Sequence, residues 1–156
     1  NISLAMDNGV PFVAYSDHGA DRKITVMKFN GTNWVRVGSA GFSASDATNI
    51  SLKIHNSLPY VAFNNGANGS AYAGGATVMK FNGSNWVEVG LPDFSHYFIQ
   101  DLDFELLNGI PYIAFAGSED QSAITVMKNE LKWRVAIVIE VGDSSMSGIG
   151  SRVPSS

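Results

Sequence analysis

Three histidines, His18, His55 and His96, supply the residue type that most often serves as metal ligand or general base. His55 falls among alternating apolar residues beside a turn, a surface position on a strand. His18 and His96 fall in loops and are the candidates for a ligand or a general base. Neither belongs to an H-E-x-x-H pair, and the chain contains no G-x-S-x-G elbow and no P-loop. Gly148-Ile149-Gly150 lacks the third glycine of a dinucleotide-binding turn. Asp17 and Asp21 flank Gly19, a calcium-like spacing without the alternating acids and closing Glu that calcium needs. Glycoside hydrolysis requires two carboxyl groups facing each other across a sugar. Asp101, Asp103, Glu105, Glu119 and Asp120 supply acids, but no pattern sets two of them opposite. With no Cys, thiolate metal clusters and disulfides are excluded. The expectation is a chain with no catalytic residues, no metal and no cofactor.

The remaining polar side chains gather in segments where the sequence varies most. They are Asp17, His18, Asp21 and Arg22; then Ser45 and Asp46; then Asn64, Asn65, Asn68 and Tyr72; then His96 and Tyr97; then Glu119, Asp120 and Gln121. Asn, Asp and aromatic groups together suit a sugar, whose hydroxyls need paired donors and acceptors and whose CH faces stack on rings. Asn, Asp and Gly are also the ordinary residues of turns. Both readings stand at this point.

What must position these groups is an internal repeat. The chain reads ISLAMDNGVPFVAYSD, then ISLKIHNSLPYVAFNN, then DFELLNGIPYIAFAG; further on it reads ITVMKFNGTNWVRVG, ATVMKFNGSNWVEVG and ITVMKNELKWRVAIVIEVG. Pro11, Pro59 and Pro111 are 48 and 52 residues apart, and the TVMK runs at Thr25, Thr77 and Thr125 are 52 and 48 apart. A period of about 50 residues belongs to stacked supersecondary units. Each unit resolves into four strands. Ile2, Leu4 and Met6 alternate with smaller residues, and Asn8-Gly9 is a hairpin turn. Pro11 opens a second strand, where a missing amide donor is tolerated. ITVMKF is the third strand, and Asn30-Gly31 turns into a fourth at Trp34. No window shows a helical apolar stripe.

The reading is an all-β fold of three four-stranded antiparallel β-propeller blades: residues 1–38, 49–90 and 101–142, with linkers 39–48 and 91–100 and a linker-like tail 143–156. A β-sandwich or β-prism of twelve strands is the competitor. Trp34, Trp86 and Trp133 recur at one position and mark blade packing; Phe42 and Phe94 recur as plugs between blades. Both faces of a blade must be covered, and rings usually need about 4 to 8 blades. Three blades therefore expect company, either more blades of a longer chain or a homodimer closing a six-bladed ring. The homodimer is the expectation. The third unit loses the Asn-Gly turn before its fourth strand, reading NELK between Lys128 and Trp133, and gains an apolar run, Val135 to Ile139, as either an interface device or a bulging insertion.

The strings PYVAF, TVMKFNG and NWVxVG resemble the repeats of bacterial surface and secreted proteins with β-propellers of unsettled function. That resemblance implies an extracellular or cell-surface setting. Gly31-Thr32-Asn33-Trp34 and Gly83-Ser84-Asn85-Trp86 also resemble the sialidase-type Asp-box turn. The box's Asp falls on Phe29 and Phe81 and its leading Ser/Thr on Met27 and Met79, so only the turn and the packing Trp survive.

A net charge of -4 argues against nucleic acid as partner, and no apolar run approaches the ~20 residues of a membrane helix. With the first strand innermost, the loop between strands two and three opens on the same face as the interblade linker. That loop-rich face is the expected binding surface. The functional reading is a non-catalytic binding or display module for a glycan or a protein. The alternatives are part of a propeller-borne carbohydrate-active hydrolase or lyase, and a purely structural repeat.

Overall fold

The computed structural model describes residues 1–66, 74–95, 99–117, 123–140 and 151–152. They form three antiparallel sheets, each running in chain order from one edge to the other. The first holds β1 (Ile2–Asp7), β2 (Val10–Asp17), β3 (Lys23–Phe29) and β4 (Trp34–Arg36). The second holds β5 (Ala47–His55), β6 (Leu58–Asn65), β7 (Ala76–Phe81) and β8 (Trp86–Glu88). The third holds β9 (Ile99–Leu107), β10 (Ile110–Gly117), β11 (Ala123–Asn129) and β12 (Trp133–Glu140), with β13 (Ser151–Arg152) added at its outer edge. Among the described residues the one helical turn is a 3-10 turn at His18–Ala20.

The turns follow from their residues. Asn8 and Gly9 sit at φ 47 and 82, and Asn108 and Gly109 at 52 and 79. Such left-handed pairs match the twist of a hairpin. Between the third and fourth strands, Asn30 Oδ1 accepts the amides of Thr32 (3.0 Å) and Asn33 (2.8 Å), and Asn82 does the same for Ser84 and Asn85. The side chain of Asn thus closes each of these turns.

The sheets bury their faces against one another. Phe12, Ala14, Ile24, Val26 and Val37 of blade one pack on Leu52, Val61 and Phe63 of blade two. Tyr60, Ala62, Ala76 and Val78, on the opposite face of blade two, pack on Phe104, Ile113, Phe115 and Met127 of blade three. Blade two is therefore covered on both sides, which is why β6 is buried almost continuously rather than in alternation. At the edge of the seam, the ring of Trp86 stacks on Phe42 (4.0 Å between centroids, 5° between planes) and donates Nε1–H to Val37 O at 2.8 Å. Trp133 repeats this with Phe94 (3.9 Å) and Val89 O (2.9 Å). The recurring tryptophans and linker phenylalanines are partners across each seam.

First strands of neighbouring blades also touch. Leu52 N donates to Ser3 Oγ at 3.0 Å, and Lys53 Nζ pairs with Glu105 Oε2 at 2.9 Å. The Lys53 hydrogen bond, and after it the Leu106 amide, holds the Glu105 carboxyl below its ordinary value of 4.5. A depressed folded-state pKa adds stability that is full above 4.5 and is lost as pH falls through the folded value. The side chains are 34% and 69% exposed, so Glu105→Gln is expected to cost less than about 1 kcal/mol at neutral pH. Urea titrations should show that difference shrinking below pH 4.5 and in high salt.

Blade three ends differently from its siblings. In blade one, Val37 N reaches Val26 O (2.9 Å), the chain turns out at Gly38 (φ 74), and Phe42 N returns to Ile24 O (3.0 Å). Val89, Gly90 (φ 79) and Phe94 repeat the excursion against Val78 and Ala76. In blade three a bulge at Ala136 is followed by unbroken pairing of Val126 with Ile137 and Ile124 with Ile139. Ile137 therefore takes the ladder place of Val37, and Ile139 that of Phe42. The residue after Ile137 is Val138, whose branched side chain disfavours the left-handed turn that Gly38 and Gly90 make. The strand runs on instead, and β13 pairs with it through Arg152 opposite Val138.

Candidate functional site

The loop after β2 and the described parts of the linkers, residues 39–46 and 91–95, lie at the ends of the strands opposite the hairpin turns. In blade one the loop is organised by Asp17, which caps the 3-10 turn: Oδ1 accepts Gly19 N at 3.0 Å and Oδ2 accepts Thr25 Oγ1 at 2.8 Å. His18 is exposed on that turn. The chain then holds two consecutive non-glycine residues, Asp21 (φ 54) and Arg22 (φ 59), in the left-handed region, an arrangement that costs energy and tends to sit where function is. Arg22 is fixed by its backbone. Its N donates to Asp17 O (2.9 Å), and its O accepts Ser16 Oγ (2.9 Å) and Ala47 N (3.1 Å).

That last bond draws the first linker against the loop and creates a groove of about 290 Å³, lined by Asp21, Arg22, Lys23, Ala44, Ser45 and Asp46. Asp21 and Asp46, separate candidates in the sequence, meet here. The groove carries two acids and two bases, so it offers both donors and acceptors with little net field.

Asn65 lies deeper and belongs to the frame. Its Oδ1 accepts Ser45 Oγ at 2.8 Å, and its Nδ2 donates to Asp93 Oδ1 at 3.3 Å, bridging both linkers. Asp93 Oδ1 also accepts Gly75 N and Thr77 Oγ1, each at 3.3 Å. Asp93→Ala is expected to cost about 2–3 kcal/mol in a urea titration, because three partly buried donors lose their acceptor. Asn64 is wholly buried and donates to Thr48 Oγ1 at 3.4 Å. Its Oδ1, like the buried Oδ1 of Asp46, has no partner among the described residues. Asp46 Oδ1 is pressed against Gly66, where a methyl group added at Cα would collide with that oxygen. Asn68, Tyr72, His96, Tyr97, Glu119 and Asp120 lie outside the described residues. His55 does not join the groove; its ring packs against Gly109, and its Nε2 accepts Asn56 Nδ2 at 3.1 Å.

Two features escaped the sequence reading. Ser43 and Ser95 accept the amides of Ile24 (3.1 Å) and Ala76 (2.9 Å), locking each linker to the blade before it; the recurring Phe-Ser pair was the available signal. A second, apolar cavity of about 780 Å³ lies between the second linker and blade three, lined by Leu91, Pro92, Phe94, Phe115, Met127 and Trp133 among others. Its walls come from a linker and from strands some 20 to 40 residues further on, so no local pattern announces it.

No family model matches this chain, and no curated protein matches it by sequence. Solved structures do match. The exo-beta-1,3-galactanase from Phanerochaete chrysosporium superposes with a TM-score of 0.59 at 12% identity, covering 90% of this chain and 38% of its own. Xyloglucan PUL GH43B of Bacteroides ovatus gives 0.54 at 14% identity, covering 90% of this chain and 36% of its own. A fucose lectin from Kordia zhangzhouensis gives 0.54 at 12% identity, covering 86% of this chain and 96% of its own. The fold is a β-propeller. This chain spans little more than a third of the two glycosidase-type propellers, whereas it is close to the whole length of the lectin. Among the described residues no helix is long and apolar enough to cross a membrane.

Proposed function

We propose that this chain is a non-catalytic, glycan-binding propeller unit, working outside the cell or on its surface, with the groove between Asp21 and Asp46 as its ligand site. The observation that carries this reading is the groove itself. It joins the blade-one loop to the first linker, is rimmed by strained backbone, and balances carboxylates against an Arg and a Lys. A neutral, hydroxyl-rich ligand uses both kinds of group at once; an anionic polymer would use only half of them. The matched propellers include a galactanase and a fucose lectin, which supports sugars as the ligand class. The better-buried acids, Asp17 and Asp93, are occupied by hydroxyl and amide donors, which suits a scaffold role better than proton transfer.

A glycan array with the purified chain tests this. Binding of one glycan class is expected, reduced at least about tenfold by Asp21→Asn or Arg22→Ala and unchanged by Leu131→Ser at the apolar cavity. Failure of every glycan to bind overturns it. Release of reducing sugar from a bound glycan, abolished by Asp46→Asn, would replace it with the hydrolase reading.

A further inference from the structure

The repeat supplies an internal control for burial. Leu4, Leu52 and Phe104 occupy one position, set by pairing with Val13, Val61 and Ile113. Leu52 and Phe104 are 2% and 1% exposed because a preceding blade covers them; Leu4 is 65% exposed. Ile2 and Met6 share its face at 73% and 59%, and Trp34, the counterpart of Trp86, is 46% exposed. On the opposite side Ile24 and Ala76 are fully buried by the blade that follows, whereas Ile124 at the same position is 37% exposed, beside Ile137 at 43% and Ile139 at 37%. Blade one thus bares the kind of face that blades two and three turn to their predecessors. Blade three bares the kind that blades one and two turn to their successors.

We propose that a second copy of this chain covers both faces, blade one of each copy packing on blade three of the other to close a six-bladed ring. The complementary surface is on the chain itself, and two sets of three blades fall within the roughly 4 to 8 that close rings. A two-fold operation satisfies both seams at once. The closing seam differs from the internal ones. The partner's Trp34 meets Ile137 and Ile139 where Trp86 meets Gly38 and Phe42, so an aliphatic ridge on the extended β12 replaces the glycine notch and stacked ring. The ring therefore opens at these two seams first. This inference is independent of the ligand: the assembly is read from mass, without any sugar present.

Light scattering on the size-exclusion eluate of the 156-residue chain tests it. The expected mass is twice 16.7 kDa, constant across micromolar loadings. Leu4→Asp and Ile139→Asp each bury a carboxylate in the seam and should weaken association at least about a hundredfold, giving a single-chain mass with the β-sheet circular dichroism retained. Unfolding of a variant is separated from dissociation by that spectrum. The wild-type chain then remains the deciding sample: dilution should convert two-chain to one-chain mass before sheet signal is lost. A one-chain mass at every loading, an open series of larger assemblies, or a two-chain mass unmoved by both substitutions overturns the proposal.

Discussion

Trp86→Ala is expected to lower unfolding free energy by about 3–5 kcal/mol, the usual range for removing a large packed aromatic side chain. Few side chains here hold as much together. The indole lies flat on Phe42 from the preceding linker, meets Phe81 of its own blade at 5.7 Å, and donates to Val37 O at 2.8 Å. Its removal leaves a cavity at the seam and an unsatisfied carbonyl that the surrounding strands cannot supply. Trp133→Ala should cost a similar amount, since Phe94 and Val89 repeat the arrangement. Trp86→Phe should recover part of the loss, keeping the stack without the hydrogen bond. Urea unfolding monitored by circular dichroism checks all three; a cost below about 1 kcal/mol for Trp86→Ala would mean that the seam is not held by this ring.

Gly38→Ala is the second large effect, at about 2–4 kcal/mol from a single methyl group. The residue stands at φ 74, where an L side chain costs roughly 1 kcal/mol. A Cβ there would lie 2.8 Å from the Phe81 ring and 3.0 Å from Trp86, both fixed by the core. Overpacking of that kind typically adds 1–3 kcal/mol. The two substitutions share a contact, so they should not add: Gly38→Ala in the Trp86→Ala background is expected to lose most of its overpacking component. Strict additivity in this cycle would place the strain in the backbone alone.

The same glycine shows where pattern reading stopped. Hairpin turns, strand order and the three-blade repeat were legible because each rests on neighbours in the chain. Asn8-Gly9 adopts a left-handed pair whatever surrounds it, and an alternating run such as Ile2–Met6 has only one way to lie in a sheet. That the β2–β3 loop and the first linker meet on one side of the sheets was legible too, since it follows from topology once four strands run in order. The pairing of Trp86 with Phe42 was not. Both recur in the sequence, but 44 positions separate them, and recurrence reports that a residue is repeated without saying what it touches.

The candidate site divides in the same way. Asp17, Asp21 and Asp46 were recognisable as loop acids from residue type. That Asp17 is consumed depends on Gly19 and on Thr25 of the facing strand, and that Asn65 clamps two linkers depends on contacts between residues 20 and 28 positions apart. In blade three, a one-residue bulge at Ala136 shifts the ladder so that Ile137 and Ile139 take the places of Val37 and Phe42. By itself, then, the sequence determined the strands, their turns and the number of blades, because hydrogen-bonding geometry and side-chain alternation act over a few residues. Which faces are buried, which acids are free and how the seams are built were decided only in the tertiary structure, because they depend on surfaces contributed by segments far apart in the chain.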